Sequence, residues 1–337
     1  MNEKDFVICL RDIKNGKFDE EPHEPGSTRF LLVPAGNADP SPADEVPQDK
    51  WEDAIFGLLP ADPTTPGDIL VFIHGYNSDQ TIIMQKHRQL KKDIRNLGFV
   101  GVVVSFDWPS EDKTLAYLAD RRNARMTALQ LVTDCIEILA RRQRGGCVAN
   151  VHLLAHSTGA YVIREAFDDA DDNDQIAKTN WTVSQIVLIA GDIASATLGK
   201  SDSKGEHIYR HCIRLTNYWN PYDSVLSLSN VKRGGVAPRV GRVGLPNDRP
   251  DKAVDIDCGP YFQILVESAR KAAGTLYGTF CHSWHIGDPI FTEDLYLTLQ
   301  GDVDRNYFKT RIAKDENDLL LTDPSQAVAN AYRARLV

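Results

Sequence analysis

The feature that most restricts the fold is a series of short apolar runs, each bounded by polar residues. Ile69 to Ile73, Val100 to Phe106, Val151 to Ala155 and Ile186 to Ala190 are nearly continuous; Ile213 to Tyr218 is weaker and Val254 to Ile256 is short. Runs of this kind, apolar toward both faces, suit central strands of a parallel sheet covered by helices. The spacers carry helical periodicity at 79–96, 113–143 and 159–169. Within the second, Leu129, Leu131, Val132, Ile136 and Leu139 are predicted to share one stripe, and Gly145-Gly146 ends it. Alternating strands and helices predict an α/β fold: a mostly parallel central sheet with helices on both faces and right-handed crossovers.

Around this core, 3–10 and 28–34 read as two opening strands. The stretch 34–50 is rich in Pro, Asp and Ala and reads as an exposed loop, because proline removes donors and breaks periodicity. The expected organisation is therefore 1–66 as N-terminal strands and loop leading into the sheet, 67–300 as the core, and 301–337 as a C-terminal appendage. Between Tyr261 and Tyr277, Phe262, Leu265, Val266 and Ala269 recur at helical spacing. This inserted amphipathic helix is expected either to cap the site or to pack on the sheet edge.

The chemistry is carried by Ala155-His156-Ser157-Thr158-Gly159, where an apolar strand ends and a helix begins at once. A sharp turn with small flanking residues pushes a serine oxygen into the open, as in the nucleophile elbow of α/β hydrolases, with Ala155 replacing the first glycine. The start of the next helix favours a developing anion. About 80 residues upstream, a buried strand ends in His74-Gly75-Tyr76-Asn77. In such folds that loop and the residue after the nucleophile each supply one N–H to the oxyanion hole, which points to Tyr76 and Thr158. His74 reads as a structural hydrogen-bonder beneath the site.

A serine hydroxyl needs a base held by a third group, in the chain order serine, acid, histidine. Asp192 and Asp223 both follow apolar strands, and Asp223 sits in the turn-forming Asn220-Pro-Tyr-Asp-Ser224. The base is expected at His282 or His285, in Cys281-His-Ser-Trp-His285. His207 and His211 are spaced i, i+4, but no third ligand accompanies them, so no metal is expected. Asp107-Trp108-Pro109-Ser110 and Tyr117 follow a strand end; Trp108 and Tyr117 are candidates for lining a substrate pocket.

Several ordered motifs resemble an alpha/beta hydrolase family of unknown function. They are Ile73-His-Gly-Tyr-Asn77, Ser105-Phe-Asp-Trp-Pro-Ser110, Tyr117-Leu-Ala-Asp-Arg121, Val151-His-Leu-Leu-Ala-His-Ser-Thr-Gly159 and His282-Ser-Trp-His285. The resemblance covers about residues 67–300. It implies esterase- or lipase-like serine hydrolase activity without metal or organic cofactor, with Ser157 as nucleophile, Asp223 as acid and His282 as base. Three positions depart from the family pattern: Thr158 and Ala160, where the family has methionine and asparagine, and Asp107, where it has serine.

Composition excludes other classes. The 337 residues carry 38 basic and 47 acidic side chains, a net charge of −9, which disfavours a nucleic-acid binder or a polybasic membrane-surface protein. No apolar stretch approaches the length of a membrane span. The six cysteines are scattered without a C-x-x-C pair, as expected of reduced thiols in a cytoplasmic protein. The expected partner is a small-molecule or lipid-like ester.

Overall fold

Among the described residues, thirteen strands and eleven α-helices follow one another along the chain. The strands are β1 (Lys4–Cys9), β2 (Ile13–Lys14), β3 (Lys17–Phe18), β4 (Arg29–Pro34), β5 (Glu45–Val46), β6 (Gly67–Ile73), β7 (Gly101–Asp107), β8 (Ala149–His156), β9 (Val183–Ile189), β10 (Cys212–Trp219), β11 (Ala253–Asp257), β12 (Arg311–Asp315) and β13 (Asp318–Leu321). The helices are α1 (Gln48–Phe56), α2 (Gln80–Asn96), α3 (Tyr117–Leu131), α4 (Glu137–Arg141), α5 (Gly159–Asp171), α6 (Ser203–Arg210), α7 (Ser224–Lys232), α8 (Val240–Val243), α9 (Gly259–Ala273), α10 (Phe280–Ser283) and α11 (Pro289–Gln300). These belong to a computed structural model that describes residues 3–21, 23–60, 67–76, 78–110, 117–141, 149–173, 181–232, 237–273, 280–315 and 318–325.

Eleven strands form one sheet in the order β12-β13-β11-β10-β9-β8-β6-β7-β1-β4-β5. Every pairing from β13 to β1 is parallel, and the two edges are closed by antiparallel partners. Alternation along the strands explains why the runs are apolar throughout. Ile69, Val71 and Ile73 of β6 enter a core layer shared with α1, α3, α5 and α6. Leu70 and Phe72 enter a second layer with Leu90 and Ile94 of α2, Tyr261 and Phe262 of α9, and Phe291 and Leu295 of α11. Both faces are thus dry, and a strand with a polar face would strand that face against a helix.

Two details differ from the sequence reading. Leu129 is 37% exposed, while Ala128, Leu131, Val132, Cys135 and Leu139 are buried. A π-helical turn at Val132–Ile136 joins α3 to α4 and shifts the stripe. Residues 311–321, expected within an appendage, supply β12 and β13 to the sheet, with β13 parallel to β11. They are held there by Arg311, whose fully buried guanidinium donates to Asp294 at 2.6 Å and to Thr298 at 2.6 Å. Helix α9 buries Tyr261 and Phe262 in the second core layer; residues 274–277 of the expected cap lie outside the described residues. No described helix is long and apolar enough to cross a membrane.

Candidate active site

The site forms at the carboxyl ends of the central strands. Strand β8 ends at His156, and α5 begins at Gly159. Ser157 between them has φ of 55°, a left-handed conformation that costs a non-glycine residue about 1–2 kcal/mol. Close packing imposes it. A Cβ on Gly159 would lie 2.5 Å from the Ile73 carbonyl oxygen, and a Cβ on Gly75 would lie 2.6 Å from the Ser157 Cβ. The two glycines let β6, its following loop and the elbow touch backbone to backbone. The Ser157 amide donates to the Ile189 carbonyl at 3.0 Å, which ties the turn to the neighbouring strand.

Two distant segments converge on this serine. The Ser157 hydroxyl donates to His282 Nε2 at 2.8 Å. On the other side of the ring, His282 Nδ1–H donates to Asp223 Oδ2 at 2.7 Å. Asp223 is fully buried after β10, and its other oxygen accepts the Leu226 amide at 2.9 Å. Asn220 links the acid turn to the histidine segment by donating to the Cys281 carbonyl at 3.1 Å. Ser157 and His282 are 6% and 8% exposed, so the reacting atoms sit just beneath the surface.

The alternatives to these residues lie elsewhere. Asp192 accepts the Ser229 hydroxyl at 2.9 Å and stands 3.5 Å from the Arg239 guanidinium, and its amide donates to the Ser157 carbonyl. It braces the turn from below. His285 stacks on Trp284 at 4.2 Å and is 1% exposed; neither ring nitrogen has a hydrogen-bond partner among the described residues. Burial, reinforced by the nearby His282, pushes its pKa down to about 3, so it is a neutral packing ring at pH 7. His207 and His211 meet Asp168 and Asp171 respectively, and among the described residues no group of side chains gathers that could hold a metal ion.

The supporting layer is built from residues of both halves of the chain. His74 is fully buried. Burial keeps it neutral: Nδ1–H donates to the Gly75 carbonyl at 2.9 Å and Nε2 accepts the Trp108 amide at 3.1 Å. Trp108, expected to line a pocket, is fully buried instead. Its ring stacks on His74 at 5.3 Å and its Nε1–H donates to the His74 carbonyl, so it meets protein on all sides. Tyr117 heads α3, and its side chain lies outside the described residues. Asp107 receives Arg11 Nε at 2.8 Å and Gln80 Nε2 at 2.7 Å. Burial works against its charge, yet the Arg11 guanidinium, helped by the hydrogen bond from Gln80, holds the carboxyl below the usual range.

Sequence reading missed Arg11, because its partner is 96 residues away and β1 joins β7 only in the folded sheet. It also gave no role to His156. That ring donates Nε2–H to the His282 carbonyl at 3.0 Å. Burial, with the Lys86 charge next in importance, holds its pKa well below the usual histidine range. The one available signal was its position directly before the serine. Tyr76 follows Gly75 beside the nucleophile, and Thr158, 2% exposed, precedes the first turn of α5.

No curated protein matches this chain significantly. Among solved structures, phospholipase PlaB from Legionella pneumophila is 24% identical over 40% of this chain and 27% of that one, with a TM-score of 0.27. This chain therefore spans about a quarter of the Legionella protein. ESTFA in its Fe-lacking apo form is 11% identical over 72% of this chain and 77% of that one, at a TM-score of 0.36. Lipase B from Aspergillus fumigatus is 12% identical over 83% and 60%, at 0.35. The family model described as "Alpha/beta hydrolase of unknown function (DUF900)" matches residues 60–255, more than half of the chain. With the strand order and elbow above, this protein belongs to that family of alpha/beta hydrolases.

Proposed function

We propose that the protein is a serine hydrolase that cleaves a carboxylic ester through an acyl-enzyme. The observation that carries this reading is the unbroken hydrogen-bond chain from Ser157 through His282 to Asp223, at 2.8 and 2.7 Å. A serine hydroxyl near pH 7 is a weak nucleophile, and His282 Nε2 stands where it can take the proton as the oxygen attacks. Asp223 fixes the Nδ1–H tautomer and stabilises the imidazolium that forms. His282 then protonates the leaving alcohol, and water repeats the sequence to release the acid. The negative charge of the tetrahedral intermediate falls to the amides of Tyr76 and Thr158. The close approach of Gly75 to Ser157 and the start of α5 at Gly159 support that assignment. A non-catalytic module would have no need to keep a buried carboxylate, a histidine and a strained serine in line.

Exposure to a fluorophosphonate, followed by intact mass and peptide mapping, tests the reading. One adduct per chain on Ser157 is expected, absent in His282→Ala. Asp223→Asn should slow ester turnover by about 10⁴-fold, because the imidazole is left in the wrong tautomer. Aryl esters should be cleaved faster than the matching anilides. A folded protein that takes no label, or a Ser157→Ala variant with undiminished hydrolysis, would overturn the mechanism.

A further inference from the structure

Arg11 follows β1, far from Ser157 in the chain, yet it holds the loop assigned to the oxyanion. That loop runs from His74, which follows β6, to Gln80, the first residue of α2. Its entrance is fixed by Trp108: the His74 ring accepts the Trp108 amide, and the His74 carbonyl accepts the Trp108 indole. Its exit is fixed by Arg11. Nη2 donates to the Ser78 carbonyl at 3.1 Å and to the Trp108 carbonyl at 3.4 Å. Nε donates to Asp107 Oδ1 at 2.8 Å, and Asp107 Oδ2 accepts Gln80 Nε2 at 2.7 Å. Nη1 donates to Glu20 Oε2 at 3.1 Å, and Glu20 Oε1 accepts the Gln80 amide at 3.3 Å. One guanidinium thus reaches Ser78 directly and Gln80 through two carboxylates.

Arg11, Asp107, Ser78 and Gln80 are all buried. An ion pair alone would need only Asp107. The other donors of the rigid fork go to the carbonyls of Ser78 and Trp108, which ties the exit of the loop to the segment that fixes its entrance. Between the two anchors lie Gly75 and Tyr76. Gly75 approaches the Ser157 Cβ too closely to carry a side chain. It therefore adds no packing of its own, and its backbone is the most freely rotating in the loop. The position of the next amide has to be set from the ends. An oxyanion donor is effective only if it is in place before the charge develops, and an error of about 1 Å costs about 10² in rate.

Resting on the hydrolase reading above, we propose that Arg11 is a positioning residue of the reaction. It holds Ser78 and Gln80, and through them the Tyr76 amide, where the oxyanion of the tetrahedral intermediate forms. Arg11 touches no substrate. Its loss weakens stabilisation of the transition state and leaves binding of the ester alone.

The test compares Arg11→Met and Arg11→Lys with the wild-type protein, each corrected for its folded fraction. Three quantities are read: kcat and KM for para-nitrophenyl butyrate, the inhibition constant of hexyl trifluoromethyl ketone, and the melting temperature. The ketone reports the oxyanion directly. The Ser157 oxygen bonds to the carbonyl carbon, the C=O π pair moves onto the carbonyl oxygen, and the serine proton passes to His282. Arg11→Met should lower kcat and ketone affinity together, by roughly ten- to a hundredfold, with KM changed by less than about threefold. Arg11→Lys returns a charge to Asp107 without the fork, so it should recover melting temperature more than kcat. If Arg11→Met does not fold, Gln80→Leu, which cuts the link through Asp107, is read in the same way, with a loss of about two- to tenfold. Arg311→Ala is the control for lost stability, since it breaks a buried pair at the opposite edge of the sheet. It should melt lower with kcat per folded molecule unchanged. Unchanged kcat and ketone affinity in the folded loop variants would overturn the proposal and leave the hydrolase reading intact. So would kcat that returns in step with melting temperature in Arg11→Lys. A wild-type protein that takes no fluorophosphonate and binds no ketone would sink the hydrolase reading, and the positioning role with it.

Discussion

At the scale of single residues, the site separates two histidines only three positions apart. His282 has a hydrogen-bond partner on each ring nitrogen, whereas His285 has none among the described residues and packs on Trp284. The difference has a measurable consequence for acid stability. His285 has a pKa of about 3 in the fold and roughly 6.5 in an unfolded chain. Below pH 6.5 the unfolded state takes up a proton that the native state refuses, so stability falls as pH drops from 6.5 toward 3. At pH 5 this residue should cost about 2 kcal/mol relative to pH 7. His285→Phe, which keeps a flat ring on Trp284, should reduce the drop in urea midpoint between pH 7 and pH 5. It should also keep fluorophosphonate labelling at Ser157, which a general base at position 285 could not allow.

At the scale of elements, the elbow depends on what is missing from two glycines. Gly75 and Gly159 sit where a Cβ would meet the Ser157 Cβ at 2.6 Å or the Ile73 carbonyl at 2.5 Å. These contacts are with the turn itself or with strand backbone, which cannot move aside cheaply. Gly75→Ala and Gly159→Ala should each destabilise by about 1–3 kcal/mol and slow Ser157 labelling, measured by urea titration and timed mass spectra. Helix α9 is held by a different force. Phe262 is 7% exposed in the layer with Trp284, close to the histidine segment. Phe262→Ala should cost about 3–5 kcal/mol. If it cost nothing, the helix would not be docked on the sheet as described.

At the scale of the whole molecule, the sheet is extended from both chain ends. The N-terminal β1 lies beside β7 and brings Arg11 under the site, where it neutralises Asp107. At the opposite edge, β13 pairs with β11, and Arg311 joins Asp294, Thr298 and Tyr218 in one buried network. Arg311→Ala would leave the fully buried Asp294 carboxylate without its cation. A loss of about 3–5 kcal/mol is expected, read as a lower urea midpoint. Replacing both Arg311 and Asp294 by apolar residues of similar size should restore much of it, because the cost lies in the unpaired charge rather than in the missing pair.

The amino-acid sequence by itself determined the strand–helix alternation, the α/β class and the place of Ser157. Each of these rests on neighbours in the chain: a run of apolar residues, a helical period, or small residues on either side of a turn. It carried the acid and the base only as pairs of candidates from the residues alone. Asp192 and Asp223 both follow apolar strands, and His282 and His285 share one short segment. Only the tertiary structure shows which member of each pair meets the serine and its neighbour: His282 bonds Ser157 and Asp223, while Asp192 and His285 do not. Which of two loops faces a given ring depends on the order of β8, β9 and β10 in the sheet and on the direction in which α10 turns. The same holds for Arg11 with Asp107. Pairing, or its lack, is a property of groups that meet across the fold, and local spacing contains no record of it.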